Sequence, residues 1–173
     1  AQALGYAEAN PTTDVEGIDT WHKLLLSSNI AFGISLDPAT VPVCGISAIR
    51  AADVENFHAH GLVCKLISTG RMEDGKLNAY VQPTLFPQGA PEAAVPSNYN
   101  LITLVGNTSG RQSFFGQGAG RYPTAYNVVQ DLTDLLENAR LPLLHRETVD
   151  AVTGCQGFFI ADGAPEELKS LCV

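Results

Sequence analysis

Two hairpin signals in close succession constrain this chain more than any other feature. The runs LVCKLISTGRM (62–72) and KLNAYVQPTLF (76–86) flank the turn EDG, and NLITLVGN (100–107) and RQSFFGQ (111–117) flank TSG. Strand-favouring residues broken by a short polar turn ending in glycine are the mark of an antiparallel hairpin. A connection rich in Pro, Gly and Ala, PQGAPEAAVPSN (87–98), joins the two. Strands grouped in mid-chain with helical patterns on either side predict an α+β fold. The expected architecture is an antiparallel or mixed sheet of at least four strands with helices packed on one face.

The helical patterns are read from apolar spacing. From Gly17 to Phe32, the residues Ile18, Trp21, Leu24, Leu25 and Phe32 form one apolar face. Thr13 or Asp14 would cap that helix and Gly33 would end it. Residues 1–16 read as a loop-rich entry, with Pro11 and the Thr12–Thr13 pair opposing helix. A shorter helix is expected over 46–61, closed by Gly61. The segment 116–140 begins as a glycine loop and continues as an amphipathic helix. Pro123 suits its first turn, and Val128, Val129, Leu132, Leu135 and Leu136 mark the face expected to be buried. Beyond Arg140 the pattern fades, until a strand-like CQGFFIA (155–161) and a helical start PEELKSLCV (165–173).

Composition excludes several functions. With 45% hydrophobic and 16% charged residues over 173 positions, the chain has the make-up of a globular domain. A net charge of −8 and a pI near 4.8 argue against nucleic acid and anionic membrane surfaces as partners. No apolar run is long enough to span a membrane. The four cysteines (Cys44, Cys64, Cys155, Cys172) are widely separated and no Cys/His spacing suggests a metal site, so reduced and mostly buried thiols of a cytoplasmic protein are expected. His22, His58, His60 and His145 form no ligand pattern. The chain opens at Ala1 without methionine, which reads as a segment of something longer.

Two stretches carry possible chemistry. Gly116, Gly118 and Gly120 follow a strand and precede a helix, but Arg121 stands where a dinucleotide fingerprint needs its third glycine. They therefore ease a tight strand-to-helix turn, or bring backbone N–H groups close to an anion or cofactor. The stretch GYAEANPTTDVEGIDTWHK (5–23) concentrates Glu8, Asp14, Glu16, Asp19 and Lys23. Asp19 and Lys23, four apart, share a helix face, and a surface ion pair there is worth a few tenths of a kcal/mol. The functional alternative is that the LLL after Lys23 makes one side of the helix dry, lowering the lysine pKa towards proton-transfer chemistry. Glu8, Asp14 and Asp19 would meanwhile hold a substrate ammonium group.

LGYAEANPTTDVEGIDTWHKLLLSSNIAFG (4–33) resembles the signature stretch that opens the catalytic domain of homoserine dehydrogenases. GQGAGRYPTAYNVVQDL (116–132) resembles the glycine-turn helix by which those enzymes return to their cofactor domain. The resemblance covers about residues 1–137. It implies an NAD(P)-dependent oxidoreductase that interconverts L-homoserine and L-aspartate 4-semialdehyde on the route to threonine, methionine and isoleucine. By position, Lys23 matches the lysine that donates a proton to the carbonyl oxygen as hydride arrives. Glu8 and Asp19 match the acids that hold the substrate amino acid, with Tyr6 close by and Asp14 a further acid of the site. Gly118 and Gly120 match the turn that approaches the nicotinamide nucleotide.

Some positions depart from the family pattern. Asn10 stands where aspartate is common, and Trp21 and His22 occupy positions often held by other residues. The family's nucleotide-binding domain, which supplies most NAD or NADP contacts, has no counterpart here. The resemblance therefore implies a catalytic and dimerisation domain over 1–140, inactive by itself, and an extension over 141–173 cut short. A cytoplasmic homodimer paired through the sheet is expected. The competing reading is a non-catalytic amino-acid-binding or oligomerisation module of the same fold.

Overall fold

The structure, a computed structural model, describes residues 10–137 and 147–152. Along the chain lie α1 (Thr12–Val15), α2 (Ile18–Phe32), β1 (Ser35–Leu36), a 3-10 turn (Pro38–Thr40), α3 (Ala51–Ala59), β2 (Leu62–Glu73), β3 (Lys76–Pro87), β4 (Tyr99–Gly106), β5 (Gly110–Gln117), α4 (Arg121–Leu136) and β6 (Thr148–Val149). The fold is mixed α+β, as expected.

Both hairpins form where the turn residues place them. Strands β2 and β3 pair antiparallel from Leu62↔Pro87 to Glu73↔Lys76. The two residues between them, Asp74 (φ 49°) and Gly75 (φ 72°), are both left-handed, the backbone that matches strand twist in a two-residue turn. Strands β4 and β5 pair from Tyr99↔Gln117 to Gly106↔Gly110 around a longer turn, with Gly110 at φ 67°.

The expected single sheet of four or more strands does not form among the described residues. They make three two-stranded ladders instead: β1–β6 parallel, β2–β3 and β4–β5 antiparallel. Single bridges extend the β2–β3 ladder at Val43↔Val81 and Leu77↔Ala151. The two hairpins are separated by a cleft and held by the loop between them. Lys65 donates from Nζ to the Val95 carbonyl at 3.0 Å, and Arg111 pairs with Glu92. Side chains reach across where a backbone ladder would have closed the sheet.

Helices α2 and α3 pack against β2, and α2 also meets β3. The core lies under α2: Leu24, Leu36, Val41, Leu77, Ala79, Val81 and Ala151 are buried, with Trp21, Leu25 and Phe32 packed against them. Alternation along β3 sends Leu77, Ala79 and Val81 to one face, which is what a half-buried strand requires. Ile18 falls outside the expected apolar face and is 38% exposed.

Three local expectations need correction. Residues 12–15 form a helical turn despite Pro11 and the two threonines, because Asn10 Oδ1 accepts from Thr12 N (3.2 Å) and Oγ1 (2.6 Å). No side chain caps α2; it starts from left-handed Gly17, and Gly33 (φ 66°) ends it as expected. Helix α3 begins at Ala51, later than expected, since Asp53 Oδ2 accepts from Arg50 N at 2.8 Å and sets the first turn there. The fourth correction is larger. On α4 the face expected to be buried is open: Val128, Val129, Leu132, Leu135 and Leu136 are all exposed among the described residues. No described element packs extensively against that helix.

Candidate functional site

The acidic stretch folds into a tight corner between α1 and α2. Gly17 makes the turn at φ 78°, a backbone that favours glycine, and it seats directly on the sheet. A Cβ there would stand 3.2 Å from Val81 Cγ1 and 3.3 Å from Val43 Cγ1. The corner is tied further by Ile46 N, which donates to the Val15 carbonyl at 2.7 Å. From this seat α2 rises with Trp21 N bonded to the Gly17 carbonyl at 2.9 Å.

One turn into α2, Lys23 and Asp19 face the same way. Lys23 Nζ lies 2.7 Å from Asp19 Oδ2, with the two side chains 58% and 45% exposed. The expected dry environment is therefore not what surrounds the amine in this chain. Leu24 turns into the core at 3% exposed, but Leu26 points outward at 66%, so the LLL run does not dry the lysine's own side. Lys23 nonetheless borders a cleft of about 670 Å³ between α2 and the two hairpins. Thr20, Lys23 and Ser27 line its α2 wall, Lys65 comes from β2, and Tyr99 and Asn100 come from β4.

The glycine turn lies behind that last wall. Gly118 packs against Asn100, donates from its N to the Asn98 carbonyl at 2.9 Å, and is followed by Ala119, whose carbonyl accepts from Asn98 Nδ2 at 2.6 Å. Gly120 enters α4 at φ 126° with no side-chain cap on the helix. The Arg121 guanidinium sits 5.9 Å from the Tyr122 ring centroid, within cation–π range.

The predicted site residues are thus placed as follows. Lys23 and Asp19 come together, and the Lys23 cleft reaches Asn100, against which Gly118 is set. Asp14 stands on α1, exposed, and makes no ion pair among the described residues. Tyr6 and Glu8 lie outside the described residues. Asn98 and Asn100 join the glycine turn only in the folded structure. Their only trace in the sequence is SNYN at a strand start, which reads as ordinary turn chemistry until the fold brings the glycine turn beside it.

A family sequence model described as Homoserine dehydrogenase matches residues 1–133. The chain belongs to the homoserine dehydrogenase family. It is 40% identical over 141 residues to homoserine dehydrogenase of Bacillus subtilis, covering 82% of this chain and 33% of that protein. The enzyme of Pseudomonas aeruginosa is 43% identical over 136 residues, covering 79% and 31%. Among solved structures, a homoserine dehydrogenase from Thiobacillus denitrificans superposes with a TM-score of 0.74 at 36% identity, covering 87% of this chain and 38% of that one. The S. aureus homoserine dehydrogenase gives 0.72 at 37% identity, covering 84% and 37%. The chain spans about a third of the length of these homoserine dehydrogenases. The matched region contains the α1–α2 corner, the Lys23–Asp19 pair and the glycine turn.

Proposed function

We propose that this chain is the substrate-binding and dimerisation part of an oxidoreductase that interconverts L-homoserine and L-aspartate 4-semialdehyde with NAD or NADP. The observation that carries this reading is the Lys23–Asp19 pair, closed at 2.7 Å with Lys23 on the wall of a cleft, within a segment matched to the homoserine dehydrogenase family. In this reading residues 1–140 are the catalytic and dimerisation part and 141–173 are an extension. The protein is a cytoplasmic enzyme of threonine, methionine and isoleucine biosynthesis. No described helix is long and apolar enough to cross a membrane.

The chemistry follows from the arrangement. Reducing the aldehyde builds negative charge on its oxygen, and an ammonium group placed there stabilises that charge and delivers the proton. Lys23 is that group, and Asp19, one helical turn away, holds it in place. In the same reading Glu8 and Asp19 hold the substrate amino acid, with Tyr6 close by and Asp14 a further acid of the site. The nicotinamide coenzyme, when bound, supplies or accepts the hydride. The glycine turn suits such a partner at the start of α4. The helix has no side-chain cap, which leaves backbone N–H groups of its first turn to meet an anionic or carboxamide group, and Arg121 adds a cation there.

Lys23 is more open in this chain than proton transfer asks for. A nucleotide-binding domain closing over the cleft would remove that water. The same openness favours a second reading, a non-catalytic amino-acid-binding or oligomerisation module, in which the pair is only a surface contact. The two separate in one experiment. The full-length protein is given homoserine and either coenzyme, and formation of the reduced nicotinamide is followed by absorbance. Turnover supports the enzyme; homoserine binding without turnover supports the module.

The reading includes a homodimer formed through the sheet. Its support is the apolar character of β4 and β5, where Ile102, Val105, Phe114 and Phe115 are all more than half exposed.

A further inference from the structure

Glycine at position 118 has two available explanations, and the structure separates them. Left-handed backbone is not the reason, since positive φ is found at Gly120 and not at Gly118. The reason is space. A Cβ on Gly118 would fall onto Asn100 Nδ2 and stand 2.5 Å from its Cγ and 3.0 Å from its Oδ1. The Asn100 carboxamide already fills the space that a side chain at 118 would need. From the other side, Asn98 holds the same turn at two points, through its carbonyl to Gly118 N (2.9 Å) and its Nδ2 to the Ala119 carbonyl (2.6 Å). Asn100 also lines the cleft that Lys23 borders. One strand start therefore grips the turn and faces the cleft at once.

The geometry points to Asn98 and Asn100 as positioning residues for the glycine turn, with glycine at 118 making room for the Asn100 carboxamide where it stands rather than for the coenzyme. Gly120 and the first turn of α4 are then the parts of the loop left to face a coenzyme, and the two asparagines set where they stand. The kinetic side of this inference rests on the proposed dehydrogenase reaction; the steric side does not.

A double-mutant cycle in the full-length protein tests it. Gly118→Ala alone is expected to raise the KM for coenzyme about tenfold and to lower the melting temperature, with the KM for homoserine changed less than about twofold. Asn100→Ala alone is expected to raise the coenzyme KM about threefold. The double variant should look like Asn100→Ala, because the clash has gone, and should recover the melting temperature lost in Gly118→Ala. A double variant about thirtyfold impaired, the product of the two singles, overturns the inference and puts the coenzyme against position 118. Asn98→Asp, which sets a carboxylate against the Ala119 carbonyl, should raise the coenzyme KM and leave that for homoserine; no change overturns the role of Asn98. If Gly118→Ala does not fold, folding of the double variant supports the inference and its failure overturns it. Should the wild-type protein not turn over homoserine, the proposed reaction fails, while the melting-temperature cycle still decides whether Asn100 demands the glycine.

Discussion

The two hairpins are built from the same local chemistry and end in opposite environments. In β2–β3 the inward positions of β3 are sealed, with Leu77 at 0% and Ala79 and Val81 at 1% exposure. In β4–β5 every residue of β5 is exposed. The difference is not in the strands, since both ladders run unbroken to their turns. It lies in the layer above. Helix α2 lays Leu24 over β2–β3, whereas α4 leaves the second hairpin and itself uncovered among the described residues. A lone two-stranded hairpin is marginal in water, so β4–β5 is the part of this chain whose stability depends on another surface.

The largest test of that contrast is catalytic, because α2 is both the covering layer and the bearer of the proposed proton donor. Lys23→Ala in the full-length protein is expected to cut kcat for homoserine oxidation by about a thousandfold, with the melting temperature kept. Turnover at the wild-type rate would remove Lys23 from the mechanism.

Next comes packing. Leu77→Ala should destabilise the chain by about 3 kcal/mol in chemical denaturation, since the residue is fully buried and the cavity cannot close. Phe114→Ala, at 58% exposed in the single protomer, should cost under about 1 kcal/mol when unfolding is measured at a dilution that keeps the protein monomeric. Equal losses at that dilution would mean that the second hairpin is covered within the protomer itself.

Association sharpens the same point from the open side. Phe115→Asp is expected to weaken the proposed homodimer at least about tenfold by sedimentation equilibrium, through loss of buried aromatic surface. A dimer of unchanged affinity would move the interface away from β4–β5.

A smaller effect is readable in the thiols. Cys155 and Cys172 lie outside the described residues; of the other two thiols, expected to be mostly buried, Cys44 is exposed and Cys64 on β2 is half-covered. Burial raises the Cys64 pKa, and a hydrogen bond with the Thr84 backbone opposes the rise only in part. A raised pKa leaves less thiolate at a given pH, so Cys64 should react with alkylating reagent more slowly than Cys44 and need higher pH to speed up. Mass spectrometry of partly alkylated protein reads this directly, and equal rates would show that β2 opens as readily as the loop. The smallest effect is that of Asp19→Asn on stability. An exposed pair four residues apart contributes a few tenths of a kcal/mol, so any large loss of catalysis in that variant would come from the site rather than the fold.

Much of this was legible in residue order. Asp74–Gly75 and the glycine at 110 announce their turns because few other residues adopt left-handed backbone. Lys23 and Asp19 meet because a helix brings positions four apart onto one face. The long motif around them was enough to name the family. Other features were hidden. The apolar spacing along α4 is a sound helix signal, yet spacing says only that a face wants cover and not whether this chain supplies it. The start of α2 is another, because Gly17, left-handed at φ 78°, is also seated against Val43 and Val81, residues far away in the sequence.

Local rules, then, determined the elements of this protein: turns from backbone preference, helices from apolar period, and the Lys23–Asp19 contact from helical geometry. Tertiary structure alone decided which hairpin was sealed, which face stayed open, and that Asn100 would occupy the space beside Gly118. The physical reason is range. Backbone preference and helical period act over a few residues, whereas burial and steric exclusion depend on atoms that meet only when distant segments have packed.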